Sequence, residues 1–365
     1  NFIEAPKAGQ DIHLSIDKRL QYIAYRELKK AVAHHKAKSA SLVILDTRTG
    51  EVLAMVNQPA FNPNNYSQTE KHKRRNLTVT DLFEPGSTIK PFIVAAALKT
   101  KQFTSHTPVN TSPGYMRVGR ATIRDVRNYG ELDLTGVIKK SSNVGIVKIS
   151  LSMDKEYLWE SLSDFGFGEM TESHFPGERR GYLPFFGEWK KLTQATVSFG
   201  YGISCTPLQL AQSYALFANK GYLKPVSMYR LDEAPEGKAV LSEDVSQAVL
   251  AMMETVVSRE GTARAAAIPG YRVAGKTGTM KKLGAEGYLD HKYLSVFAGI
   301  VPVSQPRLVG VVLFDEPSNK EYYGGKVAAP VFSVVMSEAL RLLAIAPDKA
   351  LTPGVRVASL GSKSR

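Results

Sequence analysis

A single cysteine, Cys205, stands in this chain of 365 residues, so no disulfide can close within it and neither an oxidising nor a reducing compartment is required. No histidine or base motif adjoins Cys205, which makes it a structural thiol. No apolar run reaches the roughly 18–20 residues a helix needs to cross a bilayer, and no signal-peptide pattern is read at the start. Also missing are the Gly-x-Ser-x-Gly elbow, His-Glu-x-x-His, a Walker A loop and Gly-x-Gly-x-x-Gly. Nothing therefore asks for a metal or a cofactor. Acidic residues are in deficit, 34 against 47 basic ones, for a net charge of +13. The basic residues are dispersed, however, and the longest cluster, Lys71 to Arg75, comes without a helix-turn-helix, zinc-finger or RNA-binding signature, which removes a nucleic-acid module. A cationic surface of this kind suits an anionic polymer or a membrane face, or simply a solvated face. At 43% hydrophobic residues, the chain can bury a large core.

What is present begins with Ser87-Thr-Ile-Lys90, directly after the helix-start signal Glu84-Pro-Gly86. Positions i and i+3 share a helix face, so Ser87 at the first turn would lie beside the Lys90 amine. The run Phe92 to Leu98 (FIVAAAL) reads as a buried helix, and Pro91 is tolerated so near its start because the first N–H groups have no helical partner. Those free N–H groups also favour negative charge. Burial near other cations can lower a lysine pKa by about 3–5 units, which would let Lys90 act as the base of a serine nucleophile. Ser-x-x-Lys recurs at Ser15 to Lys18 and at Ser152 to Lys155. Those copies read as a strand-end or helix-cap serine and a surface helix serine.

Two later motifs single out Ser87. Ser141-Ser142-Asn143 follows the helical stretch 136–140 in a short polar break, where a hydroxyl can pass a proton and an amide can hold a peptide; the same residues could also merely cap helices. Tyr271 to Thr279 reads as a strand containing Lys276-Thr-Gly-Thr279, with Thr277 and Thr279 on one face and Gly278 where a substrate backbone must come close. Lys276 would supply charge for a substrate carboxylate and the threonine hydroxyls would hydrogen-bond it. The backbone N–H groups of Ser87 and Thr279 are the oxyanion-hole candidates. The plainer alternative is a strand whose basic tip, Lys276, Lys281 and Lys282, faces solvent.

The order Ser-x-x-Lys, Ser-x-Asn, Lys-Thr-Gly is the signature of penicillin-binding proteins and serine β-lactamases. The chain resembles the class B penicillin-binding proteins, most closely the septal, cell-division branch of Gram-negative bacteria. Besides the three motifs, Glu84 to Pro91, Lys140 to Gly145, Phe199-Gly-Tyr-Gly202 with Thr206 to Ala211, and Tyr323-Gly-Gly325 with Ala329 to Phe332 carry the likeness, which runs from about Ile12 to about Leu343. The resemblance implies a D,D-transpeptidase: Ser87 attacks the penultimate D-Ala carbonyl of a peptidoglycan stem peptide, D-Ala leaves, and an acceptor amine resolves the acyl-enzyme. β-Lactams would acylate the same serine. It further implies Lys90 as general base, Ser141 as proton relay, Asn143 as binder of the substrate amide, Lys276, Thr277 and Thr279 as carboxylate contacts, and Tyr201, Tyr288 and Tyr323 as pocket lining. From the family alone come a septal glycan polymerase and other division proteins as partners, and an inner-membrane anchor with the catalytic domain in the periplasm. On that basis, and because the chain starts at Asn1, residues 1–11 are expected to be a linker remnant, 12–345 the transpeptidase domain and 346–365 a tail.

Rivals share the motifs. A serine β-lactamase is disfavoured by Ser142 in place of Asp and by the lack of a Glu-x-x-Leu-Asn segment to position a deacylating water, so slow deacylation is expected. A D,D-carboxypeptidase differs only in whether water or an amine resolves the acyl-enzyme. A non-catalytic β-lactam sensor would use the fold to report acylation.

The expected fold is α+β. Asp17 caps an amphipathic helix to about His35, 41–45 and 52–56 form a hairpin, and strands near 271–279, 294–301 and 308–314 complete a five-stranded antiparallel sheet, with a helix near 328–343 returning onto it. The mostly helical middle, from Phe83 to about Thr255, is inserted between the strands. The Asn- and Pro-rich stretch 57–65 reads as a surface loop.

Overall fold

One sheet is assembled from both ends of the chain. In the computed structural model, which describes residues 9–350, strands β1 (Ser39–Asp46) and β2 (Val52–Gln58) join β3 (Ala274–Gly284), β4 (Gly287–Val301) and β5 (Leu308–Asp315) in the antiparallel order β2-β1-β5-β4-β3. The central strands β1 and β5 are apolar runs buried along almost their whole length, as strands covered on both faces must be. Helix α1 (Lys18–His35) buries Leu20, Ile23, Ala24 and Leu28 as one stripe, starts at the Asp17 carboxylate and packs on β2.

The inserted block is organised around α2 (Lys90–Lys99), which is buried from Lys90 to Leu98. A helix apolar all round belongs inside a core. Phe92 is the hub of an aromatic cluster with Phe165, Phe167, Tyr214 and Phe217, at centroid distances of 5.0 to 5.8 Å. Around it stand α3 (Leu134–Lys140), α4 (Asn143–Leu151), α5 (Pro207–Ala218) and α6 (Glu243–Val256); α5 also packs on β1 and β5.

Boundaries depart from expectation in three places. Strand β3 begins at Ala274 rather than Tyr271, because Tyr271 closes a turn with Ile268; it then runs on to Gly284 and pairs with a β4 that begins at Gly287. Together they form a two-stranded arm beyond the end of β5, sustained by their mutual pairing. The returning helix α7 spans Gly324–Leu342, so Pro330 falls inside it and the Lys326 carbonyl lacks its N–H partner four residues on. Within 57–65, Asn57 and Gln58 end β2, and a short 3-10 helix, Pro63–Gln68, follows. Of the expected linker and tail, 1–8 and 351–365 lie outside the described residues.

Candidate active site

Ser87 occupies not the α-helix itself but a tight 3-10 turn, Gly86–Ile89, that feeds into α2 at Lys90. Several segments clamp this turn. The Gly86 N–H donates to Gly200 O (3.2 Å), Phe83 and Cys205 exchange backbone hydrogen bonds of 3.0 Å, and the buried Tyr214 hydroxyl donates to Thr88 O (2.8 Å). Gly200, at φ +86°, lies so close that a Cβ there would sit 2.2 Å from Gly86 O. Glu84 is also buried, and its Oε1 accepts from the Gly202 N–H (2.8 Å) and from the Tyr288 hydroxyl (2.9 Å). Burial raises the pKa of its carboxyl.

Lys90 is fully buried, and its Nζ lies 2.7 Å from Ser141 O, 2.7 Å from Asn143 Oδ1 and 3.2 Å from Ser141 Oγ. A neutral amine can donate to both close oxygens and keep its lone pair free. Burial pushes the Lys90 pKa well below the usual lysine value; the neighbouring Lys276 charge lowers it further and Asp125 opposes both. Lys276 Nζ donates to the same Ser141 Oγ (2.9 Å) and to Thr277 O (3.2 Å), and burial lowers its pKa to about 7. Lys276 is thus not part of a solvent-facing basic tip. Lys281 and Lys282 instead pair with Asp290 and with Asp315 and Glu316. Ser87 Oγ has no hydrogen-bond partner among the described residues, and Lys90 is turned toward Ser141 and Asn143.

Ser141 reaches this point because α3 ends on it in a left-handed conformation, φ 58°, and α4 starts two residues on with Ser142 as its cap. Sequence reasoning missed what holds the break in place. The Asp125 carboxylate accepts from the Ser142 hydroxyl (2.6 Å) and from the backbone N–H groups of Asn143 and Val144, anchoring the first turn of α4. A lone Asp among arginines, 17 residues before Ser142, carries no signal of this contact.

On β3, Lys276, Thr277, Gly278 and Thr279 pair with Ala298, Phe297, Val296 and Ser295. The space over Gly278 is filled by the protein's own Ser87 turn: a Cβ there would meet Pro85 O at 3.1 Å and Thr88 Cγ2 at 3.2 Å, besides Val296 at 2.5 Å. This contact docks the strand against Ser87. The expected tyrosines stand at the rim. Tyr201 and Tyr288 meet edge to face at 5.4 Å beside Glu84, and Tyr323 stacks on Tyr322 next to Gly324, whose N–H donates to Thr279 Oγ1 (2.9 Å). The other two Ser-x-x-Lys serines are structural: Ser15 Oγ donates to Val52 O (2.8 Å) and Ser152 Oγ to Ile149 O (2.7 Å). Cys205 is buried and its thiol pKa is pushed up.

A serine on a helix-entry turn, a buried low-pKa lysine one turn on, and a shared hydroxyl reaching a second buried lysine define a serine acyl-transfer site on an α+β scaffold. Comparison with known proteins agrees. Residues 40–337 match the family described as penicillin binding protein transpeptidase domain. The peptidoglycan D,D-transpeptidase FtsI of Escherichia coli K12 is 47% identical over 95% of this chain, and the chain spans 59% of that relative. The probable peptidoglycan D,D-transpeptidase PenA of Neisseria flavescens is 44% identical over 95% of this chain and 86% of the relative. The apo transpeptidase domain of Burkholderia pseudomallei penicillin-binding protein 3 superposes with a TM-score of 0.86 at 39% identity, covering 94% of this chain and all 100% of the other. The chain belongs to the penicillin-binding protein transpeptidase family, as a class B member of the septal, penicillin-binding protein 3 kind.

Within that family site, Asp125→Ala is expected to slow covalent labelling by a fluorescent penicillin by about 10-fold to 100-fold, the scale of a misplacement near 1 Å. It would take away the acceptor of the Ser142 hydroxyl and of the Asn143 and Val144 N–H groups and free Ser141 and Asn143 to drift from Lys90. A labelling rate equal to that of the parent protein would show that the break holds itself in place.

Proposed function

We propose that the chain is the catalytic domain of a septal peptidoglycan D,D-transpeptidase that works through an acyl-enzyme on Ser87. The observation that carries the reading is the pair of buried lysines, Lys90 and Lys276, hydrogen-bonded around Ser141, with Lys90 one turn from Ser87. Ser87 Oγ attacks the penultimate D-Ala carbonyl of a stem peptide and its proton passes to neutral Lys90 Nζ. Backbone N–H groups of Ser87 and Thr279 hold the oxyanion. As the C–N bond breaks, the leaving D-Ala nitrogen takes a proton from Ser141 Oγ, which Lys90 replenishes. An acceptor amine on a second stem peptide then attacks the acyl carbon and the proton steps run in reverse. Asn143 holds the substrate amide, Lys276, Thr277 and Thr279 receive the terminal carboxylate, and Tyr201, Tyr288 and Tyr323 border the peptide. Because Ser87 Oγ is unbonded at rest, its proton path to Lys90 closes when substrate arrives, as catalytic hydrogen bonds often do.

β-Lactams present a strained amide and a carboxylate to the same groups, so they acylate Ser87. The family likeness supports an inner-membrane protein with this domain in the periplasm, working with a glycan polymerase and other division proteins. Among the described residues, no helix is long and apolar enough to cross a membrane.

Intact mass after addition of a fluorescent penicillin tests the reading. A single adduct that persists for hours and maps by proteolysis to Ser87 is the expected result. Loss of the adduct within seconds while penicillin is consumed would mean a β-lactamase, and no adduct would end the acylation reading. Release of D-Ala from a stem peptide, with or without an amine acceptor, separates transpeptidase from carboxypeptidase; release of none would point to a sensor.

A further inference from the structure

The two threonines after Lys276 each already hold one partner from another element. Thr279 Oγ1 accepts from the N–H of Gly324, the first residue of α7, at 2.9 Å. An amide N–H can only donate, so one lone pair of that hydroxyl is occupied and its proton is free to point elsewhere. Thr277 Oγ1 lies 2.9 Å from Thr262 Oγ1, in the loop between α6 and β3, and either hydroxyl can be the donor. Packing holds the pair together: a Cβ on Gly325 would sit 2.1 Å from Thr262 O and 3.5 Å from Thr277 Cγ2, so the start of α7, the Thr262 loop and β3 form one block. Thr262 Oγ1 has no other hydrogen-bond partner among the described residues.

A carboxylate has acceptors only. Thr277 can therefore serve one only by donating its own proton, and the hydrogen bond to Thr262 must then run the other way, from Thr262 to Thr277. We propose that Thr262 is a positioning residue that fixes the Thr277 hydroxyl as a hydrogen-bond donor to the substrate carboxylate. The Gly324 N–H does the same for Thr279, so both hydroxyl protons face the incoming anion without reorientation, the economy expected of a preorganised polar site. The inference rests on the reading above that Thr277 meets the carboxylate.

Acylation by benzylpenicillin tests it through its half-saturation concentration and limiting rate in Thr262→Val, Thr262→Ser, Thr277→Val and the double Val variant. Valine keeps the shape of threonine without the donor. Thr262→Val should raise the half-saturation concentration about tenfold, the usual scale for one lost hydrogen bond, and leave the limiting rate within about twofold. Thr262→Ser should restore it, and Thr262→Val should add nothing in the Thr277→Val background. Thr262→Ala, carried in parallel, should behave as valine and serves in its place if valine disturbs the fold. The proposal is overturned if serine and valine act alike, if the effect survives without the Thr277 hydroxyl, or if only the limiting rate changes. Should Thr277→Val itself leave half-saturation unchanged, the carboxylate reading of Thr277 fails first and this inference with it.

Discussion

Ser87→Ala is expected to abolish the penicillin adduct, and Lys90→Met to slow its formation by about 10²–10⁴-fold, the usual contribution of a general base. Methionine fills the space of the lysine stem but has no lone pair that can take the Ser87 proton. The pH profile carries the same argument with a definite sign. Only neutral Lys90 accepts a proton, and burial together with the neighbouring Lys276 charge lowers its pKa well below the ordinary value against the opposing pull of Asp125. Acylation by the parent protein should rise with pH through that lowered pKa and level off well below the usual lysine range, near 10.4. Lys90→Met should lose this limb. Stopped-flow acylation across pH checks both, and a Lys90→Met variant that labels at the parent rate would remove Lys90 as base.

Gly200→Ala should be the most damaging small substitution near the site. It would force φ +86° on a residue with a side chain and press a Cβ to 2.2 Å from Gly86 O, in the turn that carries Ser87. Left-handed backbone costs roughly 1–2 kcal/mol for an L-residue and overpacking about 1–3 more, so about 3 kcal/mol is expected in thermal or denaturant unfolding. Acylation should fall about 100-fold as the turn shifts. Gly202 is the control. It also has positive φ, +78°, but a Cβ there meets nothing within 4 Å, so Gly202→Ala should cost only the backbone term of about 1–2 kcal/mol. Equal losses at the two positions would show that conformation alone, not the contact with Gly86, governs this loop.

Much of the architecture could be read from local pattern. The Asp17 cap, the Leu20-Ile23-Ala24-Leu28 stripe and the apolar runs of β1 and β5 are short-range consequences of helix and strand periods. Where expectation slipped, the cause was distant. The β3–β4 arm exists because two strands find each other across a turn, and α7 runs through Pro330 in a helix whose buried face packs on β4 and β5. Of the proposed catalytic set, Ser87, Lys90, Ser141, Asn143 and Lys276 were visible as motifs. Asp125, Thr262 and the Glu84 carboxylate's contacts were not, since each acts on residues far along the chain through one hydrogen bond or a few.

The residue order alone determined which side chains could do chemistry here: a serine and lysine one turn apart, a helix–break–helix serine and asparagine, and a lysine–threonine strand. These follow from spacing and helix period. Only the tertiary structure decided their state. Folding buries Lys90 and Lys276 around one Ser141 hydroxyl, which lowers both amine pKa values, and it closes Gly200 and Gly278 onto the Ser87 turn. Desolvation and close contact arise between residues remote in sequence, and no local pattern encodes them.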